Sequence, residues 1–215
     1  MPVPSLSTTS FLKEAATQYR TDLLSESGSS ALDWLAERMI DPEGTARRFV
    51  LGYVDNPLPG HEQYRGCIAI PYINAAGTVV KMRFRTLSVS ASCKYLDMAG
   101  GKPLPYNLSA VTAYSPYMCI SEGEFDAQSA EIAGMPCVGL PGAEAWRPEW
   151  RRFFMQYRTV YMLQDGDEAG ERLAHTIAKD VPQLRAIPMG ATKQDDVNKY
   201  LVDNGPEALR EKVGV

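Results

Sequence analysis

Beyond residue 113 the chain alternates short apolar runs with helix-like stretches, and this alternation restricts the fold more than any other feature of the sequence. Residues 118–121 (MCIS), 137–140 (CVGL), 159–163 (TVYML) and 184–188 (LRAIP) have the length and the bounding turn residues of buried strands. Between them, residues 124–133, 146–157 and 168–180 read as helices, and further helices are expected from Asn198 and from Pro206. Strands that alternate with helices predict an α/β fold, with a parallel sheet flanked by helices. In such sheets ligands bind beyond the C-terminal ends of the strands.

Three acidic clusters fall where those strand ends are expected. The first strand runs into Glu122-Gly123-Glu124-Phe125-Asp126, and the third into Asp165-Gly166-Asp167-Glu168-Ala169-Gly170. Lys193-Gln194-Asp195-Asp196-Val197-Asn198 follows the fourth. On one sheet edge, Glu122, Asp165, Asp167 and Asp196 would converge. Converging carboxylates repel each other and lose hydration, a cost that a divalent cation removes. Mg²⁺ takes one or two carboxylates and completes its shell with water and phosphate oxygens, so the pattern favours phosphoryl or nucleotidyl transfer over structural calcium. The competing reading makes these acids helix caps, and Asp167-Glu168 before a helix suits that role well.

The first 112 residues predict a smaller mixed α+β subdomain, giving expected domains at 1–112 and 113–215. Helices are expected over 11–24 and 30–39, with a short one restarting at Asp41-Pro42-Glu43. Residues 67–73 (CIAIPYI) and 79–87 (VVKMRFRTL) are strand-like, and Asn74-Ala75-Ala76-Gly77 between them suggests a hairpin turn. Residues 55–63 and 88–92 read as loops, and 97–106 as a Gly/Pro-rich approach to the boundary. Lys81, Arg83 and Arg85 alternate, so they project from one strand face, which suits either tracking of phosphates or the protection of an edge strand.

Composition narrows the classes. Of the 215 residues, 45% are hydrophobic and 22% charged, as in ordinary globular proteins. No apolar run approaches the roughly 20 residues of a membrane helix, and the N-terminus does not read as a signal peptide, so a cytoplasmic location is expected. The four cysteines, Cys67, Cys93, Cys119 and Cys137, form no CxxC pair, so no zinc is expected; Cys119 and Cys137 read as buried thiols. The net charge of −4 argues mildly against a nucleic-acid binder. The acidic excess is uneven, however: residues 1–112 hold 11 basic and 10 acidic side chains, and residues 113–215 hold 11 and 16. Trp146 and Trp150, four apart, are read as sharing a helix face in the core, with base stacking as the minority alternative. Tyr106 and Asn107 suit either a turn or a template contact. Neither His61 nor His175 is assigned a role. No Walker motif is present, so helicase activity is not expected.

The Glu-Gly-x-x-Asp of residues 122–126 and the Asp-x-Asp-x-x-Gly of residues 165–170, about 40 residues apart, resemble the TOPRIM signature. SEGEFDA and DGDEAG look most like the versions in DnaG-type primases, notably phage primase-helicases. Residues 32–54, 65–87 and 93–108 resemble successive segments of the DnaG polymerase core, so that the resemblance covers about residues 28–205. It implies a DNA primase catalytic core that makes short RNA primers on single-stranded DNA during replication, a nucleotidyltransferase dependent on Mg²⁺ or Mn²⁺. It also implies Glu122, Asp165, Asp167 and Asp196 as metal-site acids, the first three catalytic, with Asp126 in support. Arg85 and Lys94 match positions that contact nucleic acid or nucleotide, and Lys81, Arg83 and Lys102 would extend that strip. The implied partners are a single-stranded DNA template, ribonucleoside triphosphates, and a replicative helicase or a separate zinc-binding, helicase-interacting protein, with no membrane. If the protein is phage-encoded, the implied location is the host cytoplasm. The family's zinc-binding module and helicase-interaction region have no counterpart here, which fits a compact phage-type enzyme, a fragment or one subunit of a split enzyme. A TOPRIM nuclease, or a nucleic-acid-binding primase subunit inactive without a zinc-binding partner, is the alternative.

Overall fold

The computed structural model describes residues 4–88, 93–98, 101–112 and 114–215. The chain divides into two compact units, residues 1–102 and 103–215. Of the loop expected over 88–92, all but Ser88 lies outside the described residues, as does Ala113 beside the expected boundary.

The N-terminal unit opens with α1 (Leu6–Leu23), capped by the Ser5 hydroxyl, which accepts from the Thr8 N–H. Leu12, Ala15, Ala16, Tyr19 and Leu23 recur at helical spacing and are buried as one stripe. α2 (Ser29–Ala36) and the short α3 (Thr45–Arg48) follow. Asp41 caps the region as expected, since its carboxylate accepts from the Gly44 and Thr45 N–H groups; the helix itself starts only at Thr45.

A four-stranded antiparallel sheet then forms in the order β1 (Gly52–Tyr53), β2 (Cys67–Ile73), β3 (Val79–Thr86), β4 (Tyr95–Asp97). The turn between β2 and β3 is the expected one. Asn74 Oδ1 accepts from the Ala76 and Thr78 N–H groups at 3.0 Å each, and Gly77 takes φ +76°. Met82 and Phe84 enter a core with Leu12, Tyr19, Tyr64 and Ala69. By alternation, Lys81, Arg83 and Arg85 take the other face, opposite Tyr72, Ile70 and Ile68 of β2. His61 is also buried, with Nδ1 2.9 Å from the Tyr19 hydroxyl and its ring among Phe11, Tyr64 and Phe84. Burial lowers its pKa.

The C-terminal unit contains a four-stranded parallel sheet. In chain order its strands and helices are β5 (Tyr117–Ser121), α4 (Glu124–Ile132), β6 (Cys137–Gly139), β7 (Thr159–Gln164), α5 (Glu168–Ala178), β8 (Leu184–Pro188) and α6 (Val197–Val213), and the strands lie in the order β6-β5-β7-β8. The register pairs Cys119 with Cys137 and Tyr161, and Met162 with Ala186. α6 is broken at Gly205 (φ 86°, ψ 169°), so it consists of the two helices expected from Asn198 and Pro206. Residues 103–112 belong to this unit. The Tyr106 N–H donates to the Gly139 carbonyl at 2.7 Å, and the Gly139 N–H returns to the Tyr106 carbonyl at 3.2 Å. Those contacts set the division ten residues before the one expected.

The helix expected over 146–157 is replaced by a 3-10 turn, Pro148–Phe153. Arg147 is extended (φ −129°, ψ 130°), as a residue before proline is biased to be, so Trp146 lies outside the helical turn. Trp146 and Trp150 still meet edge to face at 6.1 Å and are buried with Met118, Val160 and Ile177. Cys119 and Cys137 are buried thiols whose pKa burial raises.

A Cβ at Gly52 would stand 2.6 Å from Tyr19 Cβ and 2.7 Å from the Tyr19 carbonyl carbon, so β1 can lie against α1 only with glycine there. Gly52→Ala should destabilise the protein by about 1–3 kcal/mol, read as a lower urea midpoint with an unchanged slope.

Candidate functional site

The C-terminal ends of β5 and β7 are adjacent in the parallel sheet, and each delivers an acid immediately beyond its last residue: Glu122 after Ser121, and Asp165 after Gln164. Both side chains are half-buried. Burial and the charge of Asp167 raise the Glu122 carboxyl to about 7, opposed by the Asp165 backbone amide. Asp165 is raised to about 9 by burial and by Asp126, Glu122, Asp196 and Asp167. In the first turn of α4, Asp126 is raised by burial and by Asp196, while the Asn198 N–H, 3.2 Å from its Oδ1, pulls the other way. The five acids anticipated from the sequence therefore lie in one another's fields. Asp126 lies among them rather than at their margin.

Two of the five also serve as caps. Asp167 accepts from the Ala169 and Gly170 N–H groups at 2.9 and 3.0 Å at the start of α5. Asp196 accepts from the Lys199 N–H at 2.7 Å at the start of α6. The capping reading and the shared-site reading thus describe the same residues. Asp195, between the strand and this cap, accepts from the Thr192 N–H and hydroxyl at 2.9 Å each and organises the turn before α6, bonds that lower its own pKa.

Glu122 Oε1 and Asp165 Oδ1 are buried without a hydrogen-bond partner. Buried carboxylate oxygens are ordinarily satisfied, so two orphans at one sheet edge mark a place built for a cation or a donor. A Cβ on Gly170 would fall 2.5 Å from Glu122 Oε1 and 2.6 Å from the Asp165 carbonyl, so glycine lets α5 start against them. Among the described residues no three His, Cys, Asp or Glu side chains are gathered closely enough to hold an ion by themselves. The site fits a cation that takes one or two protein carboxylates and fills its shell from water and phosphate, as Mg²⁺ does.

The expected basic strip lies in the N-terminal unit. Lys81 is buried, with Nζ 2.6 Å from Asp97 Oδ1 and 3.3 Å from the Lys102 carbonyl. Arg83 Nε is 3.3 Å from Asp97 Oδ2, and Arg85 donates to the Lys94 carbonyl at 3.2 Å. Lys94 and Lys102 are exposed. Asp97 thus holds both the Lys81 ammonium and the largely buried Arg83 guanidinium. Tyr106 and Asn107 are buried and bonded to neighbouring elements of their own unit. The Tyr106 hydroxyl accepts from Gln128 Nε2 at 2.8 Å, and Asn107, at φ +56°, donates to Glu131 Oε1 and the Cys137 carbonyl, both at 2.8 Å.

Sequence reasoning missed Asn198 as a fastener. Besides its contact to Asp126, its side-chain amide donates to the Ser129 hydroxyl at 2.9 Å, tying α6 to α4. An Asn two residues after an Asp cap was the available signal.

Residues 119–201 match the Toprim-like family. The Gene 57 protein of Mycobacterium phage D29 is 44% identical over 154 residues, which are 70% of this chain and 99% of that protein. Among solved structures, the RNA polymerase domain of the Mycobacterium tuberculosis primase DnaG superposes with a TM-score of 0.80 at 20% identity, covering 98% of this chain and 83% of that one. A DnaG primase catalytic domain bound to ssDNA gives 0.78 at 19% identity, covering 95% and 79%. The chain belongs to the family of the phage protein, with a Toprim-like domain, and its fold is that of the DnaG catalytic core.

The raised carboxyls set a pH dependence of stability without metal. The native state holds protons on Glu122, Asp126 and Asp165 more tightly than the unfolded chain does, so these groups leave stability intact below about pH 4 and lower it progressively as pH climbs from there through about 7 to about 9. Asp165→Asn removes the group with the largest rise. In chelator-treated protein it should raise stability by about 1–2 kcal/mol at pH 8, with the difference from the parent shrinking toward pH 5.5 in calorimetric melts.

Proposed function

We propose that this chain is the catalytic core of a DNA primase, a nucleotidyltransferase that makes short RNA primers on single-stranded DNA. The observation that carries the reading is the pair of orphaned carboxylate oxygens, Glu122 Oε1 and Asp165 Oδ1, at adjacent strand ends of a Toprim-like sheet. The DnaG catalytic-core fold over both units supports it. So does the ssDNA bound to one of the structural neighbours, which makes a nucleic-acid template the fitting partner.

Glu122 and Asp165 would hold a divalent cation, Mg²⁺ or Mn²⁺, which when bound supplies Lewis acidity toward a triphosphate and neutralises the crowded acids. Asp167 and Asp196 are held by backbone N–H groups, so their charge is fixed in place and adds to the field that attracts the ion. Asp126, fastened by Asn198, keeps the field negative from the side of α4. The chain's own contribution is therefore positioning and electrostatics, which is what phosphoryl-type transfers chiefly require. Ribonucleoside triphosphates would be the substrates, and a zinc-binding or helicase-interacting protein acting in trans would fit a core of this composition.

The test is extension of a short RNA primer annealed to single-stranded DNA, with labelled ribonucleotides and Mg²⁺ or Mn²⁺. The parent should extend the primer, and Asp165→Asn or Glu122→Gln should lower the rate by about 10²-fold or more. A folded parent that extends nothing with either metal sinks the polymerase reading. Shortening of the primer or template instead would point to the nuclease.

A further inference from the structure

The C-terminal unit is acidic as a whole, with 11 basic and 16 acidic side chains over residues 113–215, yet two of its segments are basic. Residues 151–160 and 178–190 hold Arg151, Arg152, Arg158, Lys179 and Arg185 against the single acid Asp180. All five cations are exposed, while Asp180 accepts from Trp146 Nε1 at 2.8 Å. Gln183 Nε2 donates to the Phe154 carbonyl at 3.0 Å and the Tyr157 carbonyl at 3.4 Å, so the two segments lie side by side. Arg158 immediately precedes β7 and Arg185 is the second residue of β8, at the ends of these strands opposite the acids. β8 runs for five residues. At the rise of a strand that is about 16 Å, about twice the Debye length at physiological salt, so these cations do not neutralise the crowded carboxylates.

β8 is also an edge strand, since the sheet order is β6-β5-β7-β8. The opposite edge, β6, is covered by Tyr106 through its two backbone bonds with Gly139. Among the described residues no strand pairs with the outer side of β8. Strands of parallel sheets are ordinarily buried on both faces, whereas Arg185, Ala186 and Pro188 are exposed. The Val160 N–H donates to the Gln183 carbonyl at 3.2 Å and the Met189 N–H to the Gln164 carbonyl at 2.9 Å. The odd-numbered residues of β8 therefore turn their backbone groups toward β7, and the even-numbered ones turn theirs outward. The Leu184 N–H is taken by the Val181 carbonyl and Pro188 has no N–H. The open edge thus presents the Ala186 N–H and the carbonyls of Leu184, Ala186 and Pro188. By alternation Arg185 and Ile187 lie on one face of the strand, and Leu184, Ala186 and Pro188 on the other.

Those features select a partner. Open N–H and C=O groups match another main chain and not a sugar-phosphate backbone. A second copy of this chain would bring a second set of arginines and is repelled. An extended segment with acids on one face opposes Arg185 and enters the field of the other cations, while apolar side chains on its other face lie against Ala186 and Pro188. Arginine and proline on an edge turn neutral strands away, so the same residues reject one class of strand and accept another.

We propose that the outer edge of β8 docks an extended acidic segment of a partner protein, with Arg185 and Arg158 meeting its carboxylates and Ala186 meeting its main chain. The docking edge is independent of the primase reading, since no group of the acidic site takes part in it.

The test uses the full chain and a fluorescein-labelled peptide of about ten residues, within the length of a natural strand, that alternates Asp with Val. In anisotropy titrations Arg185→Glu should weaken binding by about tenfold or more, and Arg185→Lys should recover most of the affinity. Ala186→Pro removes an N–H that the sheet does not use and should cost about fivefold, with the urea midpoint as the check on folding. The same peptide N-methylated at every residue keeps its charge and loses its donors. It should bind the parent about fivefold more weakly or worse, a readout that stands even if Ala186→Pro fails to fold. Affinity within twofold of the parent in folded Arg185→Glu, equal binding of the two peptides, or a parent that binds neither overturns the docking edge. A labelled dT strand of equal charge that binds more tightly than the peptide, and is weakened alike by Arg185→Glu, assigns the cations to nucleic acid and overturns it as well.

Discussion

Negative charges brought together away from bulk water repel, and in the C-terminal unit five of them are brought together. Local caps hold two of them, Asp167 and Asp196, while the others depend on the sheet. Glu122 and Asp165 are delivered by adjacent parallel strands, and Asp167 and Asp196 are anchored by the helices that follow strands, so the sheet's connectivity imposes the crowding. The hydrophobic layers under Trp146, Phe154 and Ile177 supply the free energy against which that repulsion is set. Raised carboxyl pKa values are the measure of this opposition. A fold whose core were just sufficient for itself could not hold such a cluster without a cation; this one places its charged edge beyond a sheet in which Met118 to Ser121 of β5 and Val160, Met162 and Leu163 of β7 are buried.

Much of this was legible because the informative residues are contiguous. The strands of the C-terminal unit are short apolar runs, and acids stand directly after β5 and β7, so there strand and site share one signal. The parts that were illegible depend on distant pairings. β4 is three residues in a polar stretch and exists because β3 offers an edge to it, with Arg85 opposite Tyr95. The failure over 146–157 had a local cause that could have been weighed: Pro148 biases its predecessor away from helix, while the apolar spacing of Trp146, Trp150 and Phe154 argued for one. Burial followed the spacing, and backbone conformation followed the proline.

The two units use charge in opposite senses. In the C-terminal unit like charges are crowded and two of their oxygens lack partners. In the N-terminal unit the cations are each laid against something: Lys81 and Arg83 against Asp97, Arg85 against two rings, Arg38 against one. The alternation of β3 was enough to place its three cations on one face, but it could not show that the first would be enclosed. Lys81 sits opposite Tyr72 in the register, its ammonium 5.5 Å from that ring.

α6 fastens α4 at two places. Near its start the Asn198 backbone and side chain hold Asp126 and Ser129; beyond the Gly205 break, Arg210 donates to the Ala133 carbonyl at the far end of α4 at 3.0 Å. The first acid-bearing helix is therefore secured by residues synthesised some seventy positions later. During translation β5, α4 and β6 can form while Asp126 still lacks its clasp, and the crowding of the carboxylates is completed only as the last helix emerges from the ribosome. The order of synthesis thus defers the most repulsive step until nearly the whole core is available to oppose it.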